Sequence, residues 1–278
     1  MCKTTPEVKL RRVPLPFEAG SASESVVSQP SARFSPANTP LAAPTPVRIL
    51  ALETSETAGS LAALDDERLL GQVVLDTRRR SAQTLAAGLQ TLWKEIPWQP
   101  RDVQLVAVTA GPGSFTGLRV GVTTAKILAY AVGAELLGVD TLEVLAQAVP
   151  AEVAQVAVAV DAQRGQVVGQ AFRRQGSGWF EPLDEQRLVD FSAWLTALPP
   201  DMAVAGPLFR KLAPDASQQT PGLSGRDCFA AAATAEWVGR VAWRHYQAGQ
   251  RGDPWTLLPH YSRLAAAEEK WRQRNVES

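Results

Sequence analysis

The stretch VQLVAVTAGPGSFTGLRVGVTTAKILAYAVG, residues 103–133, decides the fold of this 278-residue chain. Its first part, residues 103–110, is a continuous apolar run, which predicts a strand that is covered on both faces. A glycine-rich turn follows, and the residues from Ser114 to Gly133 are again mostly apolar, which predicts a helix buried on more than one side. A buried strand that leads through a tight turn into a helix indicates an α/β fold.

The turn GPGSFTG, residues 111–117, matches none of the common phosphate-binding or nucleophile motifs. The chain holds no Gly-Lys pair, which excludes a Walker P-loop, and the spacing fits neither G-x-G-x-x-G nor G-x-S-x-G. Ser114 or Thr116 can cap the first amides of the helix, and those amides can also hold an anion. The turn is therefore interpreted either as a tight strand-to-helix connection or as an anion site.

Small residues recur at every fourth position of the predicted helix, at Gly117, Gly121, Ala125, Ala129 and Gly133. They form a groove of short side chains along which another element can approach closely. Glycine inside a helix costs about 1 kcal/mol relative to alanine, so close packing must compensate. Either an internal element or a partner protein can fill this groove.

The residues before this stretch predict a three-stranded meander and a helix. Residues 47–75 alternate in character around turns at Gly59 and Asp65, which indicates three strands joined by hairpins. A helix follows from Ser81, because apolar residues recur there at steps of three and four. These residues are Ala82, Leu85, Ala86, Leu89, Leu92, Trp93 and Ile96.

The second half of the chain repeats this order, with a strand ending at Asp161, a turn, a returning strand and further strand and helix patterns. A long helix is predicted over residues 227–247. The repetition indicates a duplicated α/β architecture with two lobes, at 47–150 and 151–278, each with a mixed sheet flanked by helices. Glu53 and Asp161 then occupy equivalent places at the end of the first strand of each lobe.

Residues 1–46 are rich in Pro, Ser, Ala and Thr, which predicts a disordered tail. Lys and Arg number 28, as do Asp and Glu, so no global charge attracts the chain to nucleic acid or to a membrane. Two cysteines and two histidines exclude a disulfide framework and most metal chemistry. Without a long apolar segment, the chain is expected to be cytoplasmic with no membrane association.

Four motifs in order resemble the TsaB (YeaZ) family: LALETS from residue 50, GPGSFTGLRVG from 111, DAQRG from 161 and PHYSR from 259. The family is similar in fold to the actin-like ATPases. The resemblance implies a non-catalytic scaffold or activator of the complex that forms N6-threonylcarbamoyladenosine in tRNAs reading codons that start with adenine. Such a subunit heterodimerises with its paralogue TsaD, and the ATPase TsaE joins them.

The resemblance also implies where the partner binds and which chemistry the chain lacks. The helices beginning near Ser81 and Ser114 would pair with TsaD, and a homodimer can use the same helices when TsaD is missing. This chain is expected to require no cofactor, since ATP and the metal are expected on the partner subunits. It is expected to contact tRNA only as part of the assembled complex. The implied interface residues are Ser81, Leu85, Leu89, Leu92, Gly117, Gly121, Ala125, Lys126 and Ala129.

The chain departs from the family pattern at Glu53, where Asp is usual, at Arg80, where His is common, and at Val168, where Tyr is frequent. In actin-like ATPases the acids at the two equivalent strand ends face a nucleotide. In this chain they either do the same or brace the hairpin turn that follows each strand. The residues that would face a nucleotide or anion are Glu53, Thr54, Ser55, Asp161, Ser114 and Thr116. Two other classes stay open, an actin-like small-molecule kinase or ATPase and, more distantly, a zinc metallopeptidase-like protein that would use His245 or His260.

Overall fold

The structure, a computed structural model, describes residues 2–3, 45–76, 81–211 and 222–262, with the backbone alone at 2–3, 81–83 and 211. Its strands form two mixed sheets, and helices flank both. The α/β class, the two sheets and the duplication predicted from the sequence are confirmed. Within the described residues, no helix is long and apolar enough to cross a membrane.

The first sheet has the order β4-β3-β2-β5-β6. Its strands are β2 (Arg48–Glu53), β3 (Ser60–Asp65), β4 (Arg68–Val74), β5 (Leu105–Gly111) and β6 (Glu135–Asp140). The first three form the predicted antiparallel meander, while β5 and β6 run parallel to β2. All seven residues of β5 are buried, as its continuous apolar sequence predicts.

Three helices belong to this half, α1 (Ser81–Glu95), α2 (Phe115–Val132) and α3 (Thr141–Gln147). The Ser114 side chain caps α2 by accepting a hydrogen bond from the Gly117 amide, and Gly133 ends it in the left-handed conformation. Asp140 caps α3, a helix that was not predicted from the sequence, by accepting hydrogen bonds from the Leu142 and Glu143 amides. A short 3₁₀ helix, Pro100–Asp102, leads into β5.

The second sheet repeats the same strand order, with β10-β8-β7-β11-β12 in the places of β4-β3-β2-β5-β6. Its strands are β7 (Gln155–Asp161), β8 (Gln166–Arg174), β9 (Phe180–Pro182), β10 (Arg187–Asp190), β11 (Ala203–Ala205) and β12 (Cys228–Phe229). β9 pairs with β8 beside this path. A 3₁₀ helix, Pro207–Lys211, follows β11.

At the edge of the second sheet, β1 (Cys2–Lys3) pairs in parallel with β12. A tail without regular structure was predicted over residues 1–46, and this pairing places two of its residues in a strand. Residues 1 and 4–44 lie outside the described part of the chain. The boundaries predicted for the two lobes stay a prediction.

The second half contributes α4 (Phe191–Ala197) and α5 (Ala235–Gln247). The prediction of a helix over residues 227–247 is wrong for residues 227–234, because Cys228 and Phe229 join the second sheet as β12. The helix begins only after Thr234, whose hydroxyl accepts a hydrogen bond from the Trp237 amide. Although α5 comes from the second half of the sequence, it packs across the first sheet, so residues of both sheets share one core.

Candidate functional site

The glycines of the GPGSFTGLRVG run lie where other segments of the same chain pass closest. At Gly117 and Gly121, an added Cβ would overlap the carbonyl oxygen and the hydroxyl of Thr54, respectively. At Gly111, whose φ is +124°, it would overlap the carbonyl oxygen of His260. At Gly113 it would overlap the carbonyl oxygen of Ser55, so each glycine of the run lies where a side chain would not fit.

The amides of Ser114 and Gly117, at the start of α2, donate hydrogen bonds within the protein. The Ser114 amide donates to the carbonyl oxygen of Ser55 at 2.7 Å, and the Gly117 amide donates to the Ser114 hydroxyl at 3.3 Å. The Thr116 side chain is exposed. These bonds support the interpretation of a tight turn, and the anion site stays a prediction.

Glu53 and Asp161 end equivalent strands, β2 and β7, but their environments differ. Glu53 is fully buried, and one of its carboxyl oxygens accepts hydrogen bonds from the amide and hydroxyl of Ser55. Burial, and secondarily the nearby Glu56 carboxylate, raises the pKa of Glu53 to about 8. Asp161 is exposed and accepts a hydrogen bond from the Gln163 amide at 2.7 Å.

Each acid thus braces the turn that follows its strand, as the second of the two interpretations predicts. The other oxygen of Glu53 has no hydrogen-bond partner among the described residues, and neither has the buried hydroxyl of Thr54. An enclosed carboxyl with a raised pKa is a poor ligand for a metal nucleotide, because Mg²⁺ requires an ionised, accessible oxygen.

The turn after Glu53 also ties the two halves of the molecule together. Glu56, on this turn, pairs with Arg210 at 3.1 Å and accepts a hydrogen bond from the Ala233 amide at 2.7 Å. The Ser60 hydroxyl accepts a hydrogen bond from the Ala235 amide at the start of α5. A shallow depression, open to solvent, lies beside the turn and is lined by Thr54, Glu56, Thr57, Gly59, Leu75, Asp76 and Thr84.

Most of the predicted interface residues lie in the core of the chain. Gly117, Gly121, Ala125 and Ala129 are buried, as are Leu85 and Leu92, while Leu89 is half-buried against the same cluster. The groove of small residues on α2 therefore faces the protein's own first sheet. The assignment of these buried residues to a partner surface is corrected, because α2 can reach the sheet only through its small side. Ser81 lies among the residues whose side chains are outside the described part.

The exposed side of α1 and α2 carries a different set of residues, here called the α1–α2 face. On α2 it includes Ile127 and Tyr130, whose side chains are 62% and 81% exposed, and the half-exposed Lys126. On α1 it includes Ala87, Gln90, Thr91 and Lys94. Ile127 and Tyr130 follow the buried Ala125 and Ala129 by one or two positions, so the spacing that predicted the stripe could have identified the opposite face.

A strap formed by residues 252–262 runs beside α2 and joins two of the sequence motifs. The His260 amide donates to the Ala110 carbonyl oxygen at 2.6 Å. The Arg119 side chain donates to the Tyr261 hydroxyl at 2.9 Å, and the rings of Phe115 and Tyr261 lie 4.5 Å apart. His260 and Tyr261 of the PHYSR motif thus contact the end of β5 and the start of α2.

The histidines do not form a metal centre in the described ranges. His245 contacts Glu143 at 3.0 Å, and His260 lies on the strap. No group of three or more His, Cys, Asp or Glu side chains among residues 45–76, 81–211 and 222–262 is arranged to hold a metal ion.

Two sheets of identical strand order, with α4 after β10 and α5 after β12 in the places of α1 after β4 and α3 after β6, define an actin-like ATPase fold. Comparison with known proteins narrows this class. Residues 69–206 match the family model for "TsaD: tRNA N6-adenosine threonylcarbamoyltransferase". TsaB of Bacillus subtilis, named as a tRNA threonylcarbamoyladenosine biosynthesis protein, is 29% identical over 229 residues, which cover 80% of this chain and 97% of that protein.

Escherichia coli TsaB is 31% identical over 136 residues, which cover 48% of this chain and 58% of that one. Among solved structures, YeaZ from Pseudomonas aeruginosa superimposes with a TM-score of 0.65 and 25% identity, over 77% of this chain and 99% of YeaZ. The chain is therefore similar to TsaB (YeaZ) proteins over about four fifths of its length. This similarity links it to threonylcarbamoyladenosine biosynthesis in tRNA.

Proposed function

We propose that this chain is a non-catalytic subunit of the complex that forms N6-threonylcarbamoyladenosine in tRNAs reading codons that start with adenine, and that it acts by binding TsaD through the α1–α2 face. The observation that carries the proposal is the exposure of Ile127 and Tyr130 side by side on α2. Large apolar side chains that remain exposed on a helix face are typical of a protein-binding surface.

The match to the TsaD family model supports a paralogous partner. A paralogue of the same fold carries its own pair of helices on its first sheet, so the two faces can meet in a four-helix contact. Such an interface buries about 1,200–2,000 Å² in total. TsaE and tRNA would then bind to the assembled complex. ATP and the metal would be held by the partner subunits.

The environment of the two strand-end acids supports a role without catalysis. Glu53 is buried and its pKa is raised, and the Asp161 carboxylate accepts a hydrogen bond from the Gln163 amide in the turn that follows its strand. An actin-like kinase or ATPase would need both carboxylates to hold a metal nucleotide, and no described contact favours that function. Tight ATP binding by the isolated chain, abolished by Asp161→Asn, would contradict the proposal.

Co-purification with TsaD from the same organism, followed by measurement of threonylcarbamoyladenosine in tRNA, tests the proposal. Replacing both Ile127 and Tyr130 by alanine should weaken the heterodimer by about thirtyfold to a thousandfold, because truncating each central apolar anchor costs about 1–2 kcal/mol. Leu188→Ala, a truncation of an exposed side chain on β10 in the second sheet, is the control and should leave affinity unchanged. A stable chain that binds no TsaD would refute the proposed function.

A further inference from the structure

The α1–α2 face carries an excess of positive charge. The charged residues of α1 are Lys94 and Glu95, and those of α2 are Arg119 and Lys126, so three basic side chains accompany one acid. Over the whole chain, by contrast, 28 basic residues balance 28 acidic ones. The excess is therefore a local property of these two helices.

Topology places two of these charges beside the exposed apolar residues. β4 and β5 both run parallel to β2. Helix α1 follows β4 and helix α2 follows β5, and each runs back along the sheet from the end of its strand. The two helices therefore run in the same direction. Lys94, in the last turn of α1, and Lys126, in the second half of α2, consequently lie toward the same end as Ile127 and Tyr130.

The nearest acid along these helices is Glu95, which follows Lys94 directly on α1. Neither Lys94 nor Lys126 forms an ion pair within the described part of the chain, whereas Arg119 already donates to Tyr261 and stacks on Phe115. Lys94 is exposed and Lys126 half-exposed, so both ammonium groups can reach a bound surface. Charges that border an apolar patch determine which partner is accepted, because like charges repel at close range.

Building on the proposed function, we infer that the α1–α2 face selects a partner that presents carboxylates to Lys94 and Lys126, and that the same charges disfavour a second copy of this chain. In a two-fold homodimer the same patch meets itself, so two surfaces that each carry a net positive charge would be brought together. An acidic surface on the paralogue would instead form ion pairs with them.

The affinity of the heterodimer at different salt concentrations tests the inference. Between about 0.1 and 1 M salt the Debye length falls from about 10 Å to about 3 Å, so the heterodimer should weaken while any homodimer strengthens. Combining Lys94→Glu with Lys126→Glu should weaken the heterodimer by about tenfold to a hundredfold, and the paired Gln variants should have a smaller effect. Arg187→Glu, at an exposed position of β10, is the control for each single lysine reversal, since it changes the net charge by the same amount, and it should have no effect. Melting curves of each variant verify folding.

A second arm measures pairing between copies. The doubly reversed chain should associate with the wild-type chain more tightly than either associates with itself. Heterodimer affinity that is indifferent to salt and to charge reversal would overturn the inference while leaving the proposed function intact. Loss of tRNA binding by the complex on charge reversal, with an intact heterodimer, would also overturn it and assign the lysines to RNA. A wild-type chain that binds no TsaD at any salt concentration would refute both proposals.

Discussion

Replacing Gly117 by alanine tests whether the groove on α2 packs inside the molecule. An added Cβ at Gly117 would lie about 1 Å closer to the Thr54 carbonyl oxygen than the 3.0 Å limit that real Cβ atoms respect. The obstacle is a backbone atom, so no side-chain rotation can relieve the overlap. Either α2 or the turn after Glu53 must move by about this distance.

The cost follows from two opposing effects. Overpacking of a well-packed core costs about 1–3 kcal/mol. Alanine regains up to about 1 kcal/mol of helix propensity, and less in the first turn of a helix, where Gly117 lies. We expect a net loss of about 1–2 kcal/mol in the free energy of unfolding, which lowers Tm by roughly 2–8 °C for a chain of this size.

Urea and thermal unfolding of the isolated chain measure this loss. Gly176→Ala is the matched control, since an added Cβ there meets nothing within 4 Å and the substitution should be neutral or slightly stabilising. Unchanged stability of Gly117→Ala would refute the internal packing. Unchanged stability together with lost TsaD binding would restore the groove as a partner surface.

Three further predictions concern the turns and the strap. Burial raises the pKa of Glu53 from 4.5 to about 8. Between these two pH values the folded chain keeps the carboxyl protonated, whereas the unfolded chain ionises it. The contribution of this group to the free energy of unfolding is therefore fully present below pH 4.5 and falls as pH rises to about 8. Glu53→Gln should flatten this fall, which amounts to a few kcal/mol, in unfolding experiments across that range. Glu56→Gln keeps a side-chain oxygen that can accept from the Ala233 amide but removes the charge that pairs with Arg210. We expect the free energy of unfolding to fall by about 1–2 kcal/mol, and unfolding curves equal to the wild type would contradict the role of this ion pair in joining the two halves. Tyr261→Phe removes the acceptor of the Arg119 side chain, so it should cost about 0.5–1.5 kcal/mol and increase proteolysis after the strap, whereas unchanged cleavage would contradict the role of that bond.

Much of the architecture could be predicted from the sequence because it depends on local periodicity. The alternation in residues 47–75 and the three- and four-residue steps after Ser81 predict the meander and α1, and the structure confirms both. The repetition of this order predicts the second sheet, whose strands follow the same sequence of neighbours. Apolar periodicity reports which side of an element is buried, and burial of one side determines how the element packs.

The direction in which α2 presents its small residues was not determined by the sequence, since an internal element and a partner satisfy the same four-residue spacing. The structure decides this, because the turn at Thr54 occupies the space beside Gly117 and Gly121. Likewise, Cys228 and Phe229 have a helix-compatible pattern but become β12, since β11 offers them an unpaired edge.

The same holds for the two acids at the strand ends. Glu53 and Asp161 occupy equivalent positions in the duplicated pattern, yet one is buried and the other exposed. Sequence symmetry places both at a strand end, whereas burial depends on which distant segments pack over that end. Arg210 and Ala233, which close over the turn after Glu53, are more than 150 residues away in the chain. The fold class therefore follows from short-range patterns, while the solvent exposure of each candidate residue is decided by long-range contacts that only the tertiary structure brings together.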